Sequence, residues 1–241
     1  MKICATTLGE TGGDLLSMTM NVGYAVSSLI LLGFFFITLL IQLASKRYHP
    51  VIYWLVIVST STAGTTISDY MDRTLELGYF KGSLILVSCL IVILTVWRYS
   101  EGTLSVNYIQ TRKAEIFYWT AILFSNTLGT ALGDFLADSS GLGFMGGAIL
   151  IGSLLALVVL VYYFTKVNRV MLFWIAFVLT RPFGATFGDV LTKPLDKGGL
   201  NLGTIGSSIV LAAILVILVV YTTIKHQETA TKQEAERLEH G

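Results

Sequence analysis

The sequence predicts an all-α, polytopic membrane protein with about eight transmembrane helices, arranged as four parallel two-helix repeats in two pseudo-symmetric halves. Of its 241 residues, 54% are hydrophobic and only 13% are charged, whereas soluble domains are about one quarter charged. Four long runs lack acidic residues and reach or approach the roughly 20 residues that cross a bilayer as a helix; they are 22–45, 82–97, 144–165 and 202–224. A short phrase also recurs along the chain.

The recurring phrase is a glycine, a Gly or Ser four residues later, and an aspartate five residues later. Its four copies are Gly9–Asp14, Gly64–Asp69, Gly129–Asp134 and Gly184–Asp189. A tryptophan stands ten residues before the glycine in the last three copies, as Trp54, Trp119 and Trp174. The first two copies match the last two at an offset of 120 residues, which predicts two halves of two units each.

Each unit predicts an odd-numbered helix that carries the phrase, a polar turn, and an even-numbered helix without intramembrane charge. The first helix, 1–16, is expected to be short, because the sequence starts after the tryptophan position and so trims the first copy. Met1 and Lys2 lead almost directly into it, so no secretory signal peptide is predicted. The other predicted helices are 22–45, 51–70, 79–98, 115–135, 143–165, 170–190 and 202–224. Together they predict a transmembrane domain at 1–224, with repeats at about 1–48, 49–113, 114–168 and 169–224, and a polar tail at 225–241.

Basic residues concentrate on one side of the predicted helices. That side carries Lys2, Lys46, Arg47, Arg98, Arg112, Lys113, Lys166, Arg169 and Lys225. By the positive-inside rule, both termini and the tail are predicted to be cytoplasmic. The opposite turns mix both signs of charge and are expected to form a solvated rim; their charged residues are Asp72, Arg73, Glu76, Lys81, Asp138, Lys193, Asp196 and Lys197.

The four aspartates of the phrase, Asp14, Asp69, Asp134 and Asp189, are the main candidates for a functional site. We expect the odd helices to lie inside, with these carboxylates around one axis, since they carry the intramembrane charge. From a tryptophan at the cytoplasmic interface, the aspartate lies about 22 Å further along at 1.5 Å per residue. A charge near the bilayer centre costs about 3 kcal/mol and usually marks an ion or proton pathway. The paired small residues of the phrase predict close helix packing.

Further polar residues on the odd helices extend the candidate site. Glu10, Thr65, Thr130 and Asn126 offer hard oxygen atoms that suit a cation or a protonated group. Arg181 needs an acidic partner, either Glu10 or an aspartate, and the pair is either structural or a switch that competes with a bound cation. Pro182 follows directly and is expected to distort its helix. Any metal ion would be a transported one, held by the four aspartates.

The tryptophans, with the phrases "LGTALGD", "TRPFGATFGD", "TTLGETGGD" and "GGLNLGT", resemble a group of bacterial inner-membrane proteins. That group is built from four copies of a two-helix repeat of unknown function. The resemblance covers essentially the whole chain except the tail. It implies eight membrane helices and a location in the bacterial inner (plasma) membrane, and it brings no established substrate with it.

These features predict a membrane transporter or exporter of a cation, with a metal ion among the candidates, coupled to protons through the intramembrane aspartates. The expected partners are the lipid bilayer, a small cation or proton and, in a homo-oligomer, further copies of the chain. No nucleic acid, resident cofactor or catalytic residue is predicted. Three alternatives stay open: a passive channel, a structural or assembly protein of the membrane, and an intramembrane aspartyl hydrolase. The last is considered because "ALGDF" in this chain loosely resembles the Gly-x-Gly-Asp phrase of such hydrolases.

Overall fold

The computed structural model describes residues 1–45, 49–106, 109 and 111–239 of the chain. For Lys197 and residues 226–239 it describes the backbone alone. Two of the basic residues used for orientation, Lys46 and Arg47, lie outside the described residues, as does the end of the predicted tail at 240–241.

Eight α-helices and no strand occur within the described ranges, so the predicted all-α class is confirmed. The odd-numbered helices are α1 (Lys2–Asp14), α3 (Pro50–Asp69), α5 (Arg112–Asp134) and α7 (Arg169–Thr192). The even-numbered helices are α2 (Tyr24–Ala44), α4 (Tyr79–Glu101), α6 (Gly143–Phe164) and α8 (Thr204–Glu239). Six of them, all except α1 and α5, contain a segment long and apolar enough to cross a membrane. This composition indicates a multi-pass membrane protein.

Helix α7 continues through Pro182 from Arg169 to Thr192, so the proline does not end the helix, and its expected distortion stays a prediction. Proline removes one backbone hydrogen bond and its ring needs space beside the helix. Gly129 of α5 provides that space, because a Cβ atom there would lie 3.0 Å from Pro182 Cδ. The helix therefore accommodates the proline through its neighbour.

The four odd-numbered helices form a closed ring, in which α1 contacts α3, α3 contacts α5, α5 contacts α7, and α7 returns to α1. Each even-numbered helix packs on the odd helix of the following unit: α2 on α3, α4 on α5, α6 on α7, and α8 on α1. Every repeat thus covers its neighbour, and the last covers the first. The ring positions the phrase of all four units towards one centre.

Burial follows an inside-out pattern. The ring helices bury many small polar side chains, such as Thr7, Ser61, Thr66 and Ser125. The even helices instead expose apolar side chains; Leu29, Leu40, Ile91, Leu160 and Ile209 are each more than half exposed. A soluble protein would place these groups the other way round, so the even helices suit an apolar surrounding.

Three of the four aspartates are followed directly by a single π-helical turn. These turns span Leu15–Thr19, Tyr70–Thr74 and Phe135–Ser139. Such turns are rare and frequently occur at functional sites. In the fourth unit the α-helix continues three residues beyond Asp189 instead, to Thr192. Either way, the chain stays helical past the aspartate.

The turn from each odd helix to its even helix repeats in all four units. At the start of each even helix stand two residues with positive φ, separated by one residue; the pairs are Asn21 and Gly23, Glu76 and Gly78, Gly141 and Gly143, and Asn201 and Gly203. Side chains with a Cβ atom rarely adopt this left-handed backbone. The second position is glycine every time, which identifies this turn as a second element of the repeat.

Aromatic side chains fill the end of the ring opposite the aspartates. Trp119 and Trp97 are each 1% exposed, and the Trp97 ring packs edge-on against Trp174, with centroids 5.7 Å apart. The hydroxyl groups of Tyr53 and Tyr118 lie 3.0 Å apart across the α3–α5 interface. The repeated tryptophans Trp119 and Trp174 are therefore buried between helices.

We expect Gly78→Ala to destabilise the fold by about 1–3 kcal/mol, because alanine would have to adopt a backbone with φ 72° and ψ 153°, a region that is nearly confined to glycine. Gly33→Ala is the control: Gly33 lies inside helix α2 and an added Cβ has open space around it. Thermal unfolding in detergent should show a lower midpoint for Gly78→Ala and an unchanged or higher one for the control. Equal midpoints would show that the turn does not require glycine.

Candidate functional site

The first glycine of each phrase is the contact point for a polar or charged side chain of the next helix in the ring. The side chain belongs to the residue three positions before the next unit's glycine. A Cβ atom added to Gly9 would lie 2.0 Å from Ser61 Oγ, and one added to Gly64 would lie 2.9 Å from Asn126 Cβ. A Cβ atom added to Gly129 would lie 2.3 Å from Arg181 Cγ, and one added to Gly184 would lie 2.4 Å from Thr6 Oγ1. All four ring interfaces therefore depend on the absence of a side chain at the same position.

The second small residue of the phrase makes a matching contact one turn further along. Cβ atoms added to Gly13 and Gly188 would lie 2.9 Å from Thr65 Cβ and 3.0 Å from Glu10 Cβ. Thr65 and Glu10 occupy equivalent positions, each directly after the first glycine of its unit. The close packing predicted from the small residues thus brings the candidate site residues to the centre of the ring.

Arg181 lies in this centre and is 0% exposed. Its Nη1 donates to Glu10 Oε2 over 3.0 Å, and its Nη2 donates to the Thr65 hydroxyl group. The same Glu10 oxygen lies 3.2 Å from the Thr65 hydroxyl and 3.4 Å from the Thr130 hydroxyl. One buried carboxylate oxygen therefore collects donors from three other helices of the ring.

Each aspartate of the phrase lies four residues, about one helical turn, beyond the position that Glu10 occupies in the first unit, and each is no more than 4% exposed. Two basic residues bridge them in pairs. Arg73 approaches Asp69 at 3.1 Å and Asp134 at 3.2 Å. Lys193 approaches Asp189 at 3.1 Å and Asp14 at 3.2 Å. We refer to these as the Arg73 bridge and the Lys193 bridge.

Lys193 lies just past the end of α7, and its ammonium group is held in the charged form. Burial alone would lower the pKa of Lys193, but the Asp189 and Asp14 carboxylates outweigh burial and raise this pKa above its ordinary value. The two carboxylates therefore favour the charged form of the Lys193 side chain.

Three acids from three helices converge into one cluster. Single carboxylate oxygens of Glu10, Asp134 and Asp189 all lie within 4.8 Å of one another, and all three residues are buried. This spacing lets one cation contact three carboxylates at once. We refer to these three residues as the acid cluster.

Asn126 takes a more structural position among the predicted site residues. Its Nδ2 donates to Thr60 Oγ1 over 3.0 Å, which links α5 to α3. Thr65 and Thr130 lie against Glu10, as described above. The structure therefore brings Glu10, Thr65, Thr130, Arg181 and the aspartates together, and leaves Asn126 on the aromatic side of them.

A family comparison explains the repetition of these contacts. Four copies of a repeat of unknown function, DUF347, match residues 1–48, 52–103, 117–168 and 172–227. The chain belongs to the DUF347 family. The predicted resemblance to a family with four copies of such a repeat is thus confirmed. No curated protein and no solved structure was found to match the chain.

The prediction of a solvated rim is wrong for three charged residues of this DUF347 chain. Arg73 and Lys193 bridge the aspartates. Asp72 is buried, with 6% of its surface exposed, and its Oδ2 accepts a hydrogen bond from Ser68 Oγ over 3.4 Å. By contrast, Glu76, Asp138 and Asp196 are exposed as expected. The sequence does hold a signal for the bridges: Arg73 and Lys193 each follow an aspartate by four residues and lie 120 positions apart.

Gly129→Ala should destabilise the protein by about 1–3 kcal/mol, the usual cost of overpacking, because the new methyl group would overlap Arg181. The matched control is Gly206→Ala in helix α8, where an added Cβ meets no atom within 4 Å. Chemical unfolding in mixed micelles measures both. A Gly129→Ala protein as stable as its control would contradict the contact assigned to Arg181.

Loss of either partner of the Glu10–Arg181 pair should be far more harmful than loss of both. Removing one member of a buried ion pair costs about 3–5 kcal/mol because the other charge stays buried alone. We expect Glu10→Gln and Arg181→Met each to lower stability strongly, and the double variant to recover part of the loss. A double-mutant cycle measures this coupling, and the exposed Lys113→Gln serves as control. Strictly additive effects would mean that the two side chains do not interact.

Proposed function

We propose that the chain forms eight membrane-crossing helices as four parallel repeats around one axis in a bacterial inner membrane. The parallel arrangement is supported by successive contacts between neighbouring helices, because residue numbers increase in the same direction on both helices. Gly9 faces Ser61 and Gly13 faces Thr65, so both partners move on by four residues in the same chain direction. We place both termini in the cytoplasm, since basic side chains are exposed at the aromatic end of the helices; these are Arg98, Arg112, Lys113, Lys166 and Arg169.

We further propose that the protein transports a cation, with a metal ion as the leading cargo, in exchange for protons. The observation that carries this proposal is the acid cluster, because three carboxylate oxygens buried within 4.8 Å of one another could ligate a single cation, and close carboxylates repel as long as their charge is not fully balanced. Carboxylate and hydroxyl oxygens are the ligands that hard divalent cations prefer. Thr65 and Thr130 add hydroxyl groups beside Glu10.

The balance of buried charge supports coupling to protons. At the centre of the ring, five carboxyl groups (Glu10 and the four aspartates of the phrase) contact three basic residues, Arg73, Arg181 and Lys193. Two formal negative charges therefore exceed the internal positive charges among these groups. A buried, uncompensated charge is unfavourable by several kcal/mol. Two bound protons or one divalent cation would each restore neutrality. A site that binds them alternately would exchange two protons for one divalent cation.

This proposal makes the chain a carrier rather than an enzyme, with no resident cofactor. Its site residues are the acid cluster, Asp14, Asp69, Thr65 and Thr130, with Arg181 holding Glu10 in place. Asn126, the remaining candidate, would act through the helix contact with Thr60. Transport uses the carboxylates only as ligands and proton carriers, which fits their pairing with basic residues.

We expect Asp134→Asn and Asp189→Asn to reduce cation transport at least about tenfold, since each removes a charged ligand worth about 1.4 kcal/mol or more of binding. Proteoliposomes that contain the full chain are loaded with a fluorophore quenched by Mn²⁺, and a pH dye reports countertransport of protons. Mg²⁺, Ca²⁺, Na⁺ and K⁺ are tested as competitors. The control is Asp196→Asn, at an exposed aspartate outside the ring. Flux that persists unchanged in both variants would overturn the proposal.

A further inference from the structure

The Arg73 and Lys193 bridges occupy equivalent places in the two halves of the chain. Each base follows its own aspartate by four residues, and each also contacts the aspartate of the neighbouring unit. The corresponding positions in the first and third units are Met18 and Asp138, neither of which can supply a positive charge. The bases therefore belong to the two-fold pattern of the halves and not to the four-fold pattern of the repeats.

The bridges also mark the boundaries between the halves. Arg73 joins the second unit to the third through Asp134, and Lys193 joins the fourth unit to the first through Asp14. At the level of the aspartates, both contacts between the sequence halves are ionic. The two boundaries inside the halves carry no base at this position. Separation of the halves at this end would therefore require both bridges to break.

The bases lie between the acids and the outside of the ring. The Arg73 and Lys193 side chains are 30% and 20% exposed, whereas the four aspartates that they contact are at most 5% exposed. A cation that approaches the aspartates from this end meets the two bases first. Their positive charge repels it until the bases move away from the carboxylates.

Two of the bridged aspartates are also members of the acid cluster. Asp134 contacts Arg73 and Asp189 contacts Lys193, while Glu10, the third member, contacts Arg181. A cation held by all three carboxylates would compete with the bases for the same negative charge. A divalent ion competes better than a monovalent one, because its attraction to each carboxylate at a given distance is twice as large.

We propose that Arg73 and Lys193 are displaceable counter-ions that close the acid cluster and make it selective for divalent over monovalent cations. The inference rests on the proposed cation transport and adds the residues that gate and select. A purely structural role for the bridges predicts the opposite response to their removal: the halves would loosen, the carboxylates would move apart, and cation binding would weaken or stay unchanged.

The binding test uses the purified full chain in detergent, with Mn²⁺ as the probe and titration calorimetry as the measurement. We expect Arg73→Gln and Lys193→Gln each to tighten Mn²⁺ binding about tenfold, within the usual range of coupling between competing sites. The same variants should bind Mn²⁺ less selectively against Na⁺. Lys81→Gln, at an exposed basic residue of the same end, is the control and should match the wild type. Arg73→Lys keeps the charge and should stay close to the wild type, provided that size-exclusion profiles show folded protein.

A labelling test measures closure without any cation. Thr130→Cys is introduced beside Glu10 in a Cys4→Ser, Cys89→Ser background, and its reaction with iodoacetamide is timed. Iodoacetamide is neutral, so the loss of a base does not by itself attract it. We expect this cysteine to react about tenfold faster when Arg73→Gln and Lys193→Gln are both present than when neither is. That ratio corresponds to a shift of a two-state equilibrium by about 1.4 kcal/mol. An unchanged rate would overturn the gating role.

The outcomes separate this inference from the proposal beneath it. If no protein of the series binds Mn²⁺ or any other cation tested, the proposed function fails. If the wild type binds Mn²⁺ and the folded bridge variants bind it equally or more weakly, the transport proposal stands and the displaceable bridges are excluded. Tighter binding together with faster labelling supports both.

Discussion

The close approach of four helices at the repeated glycines is the constraint on which the rest of the structure depends. At each interface a side chain of one helix occupies the space that a Cβ atom would need on the next, as Arg181 does at Gly129. Small residues allow such packing between apolar helices, where no hydrophobic force draws the helices together. With any larger residue the ring would widen, and carboxylates now within 4.8 Å of one another would separate.

Buried charge then dictates why the repeats differ from one another. Four identical units would place four carboxylates at one level with no counter-charge. At about 5 Å and an effective dielectric constant of about 20, each pair would repel by about 3 kcal/mol. The chain departs from identity where this problem arises: Arg181 replaces a small polar residue of the other units, and Arg73 and Lys193 appear in alternate units. The asymmetry follows from the electrostatics of the shared centre.

Much of this arrangement could be predicted from the sequence, because it depends on periodic features. The apolar runs give the helix ends to within a few residues, except that α8 continues to Glu239, 15 residues beyond the predicted end at 224, and the repeat gives the number of units. The isolated charge of Arg181 calls for an acidic partner, and the structure supplies Glu10 at 3.0 Å. Each of these predictions follows from one helix or from one spacing along the chain.

The features that the sequence did not reveal depend on contacts between units. Apolar faces show that the even helices lie outside, but not that α2 covers α3 and α8 covers α1. Arg73 resembles a residue of a solvated turn because it lies past the apolar run. The π-helical turn Tyr70–Thr74 keeps the chain helical there, so that Arg73 returns to the level of Asp69. A search restricted to the four-fold phrase misses it, since only the two-fold offset relates Arg73 to Lys193.

The reduction from four-fold to two-fold symmetry has a mechanical consequence. In a ring of four equal interfaces, no pair of helices is distinguished as a moving unit. Here the ionic bridges lie at two opposite interfaces, between the second and third units and between the fourth and first. The interfaces inside each half carry no base at this level, although they pack at glycine as all four interfaces do. A change in the charge of the bridged aspartates therefore acts directly on the two ionic contacts between the halves. Gene duplication of a two-repeat unit would produce this division directly, since it copies both the base and its aspartate.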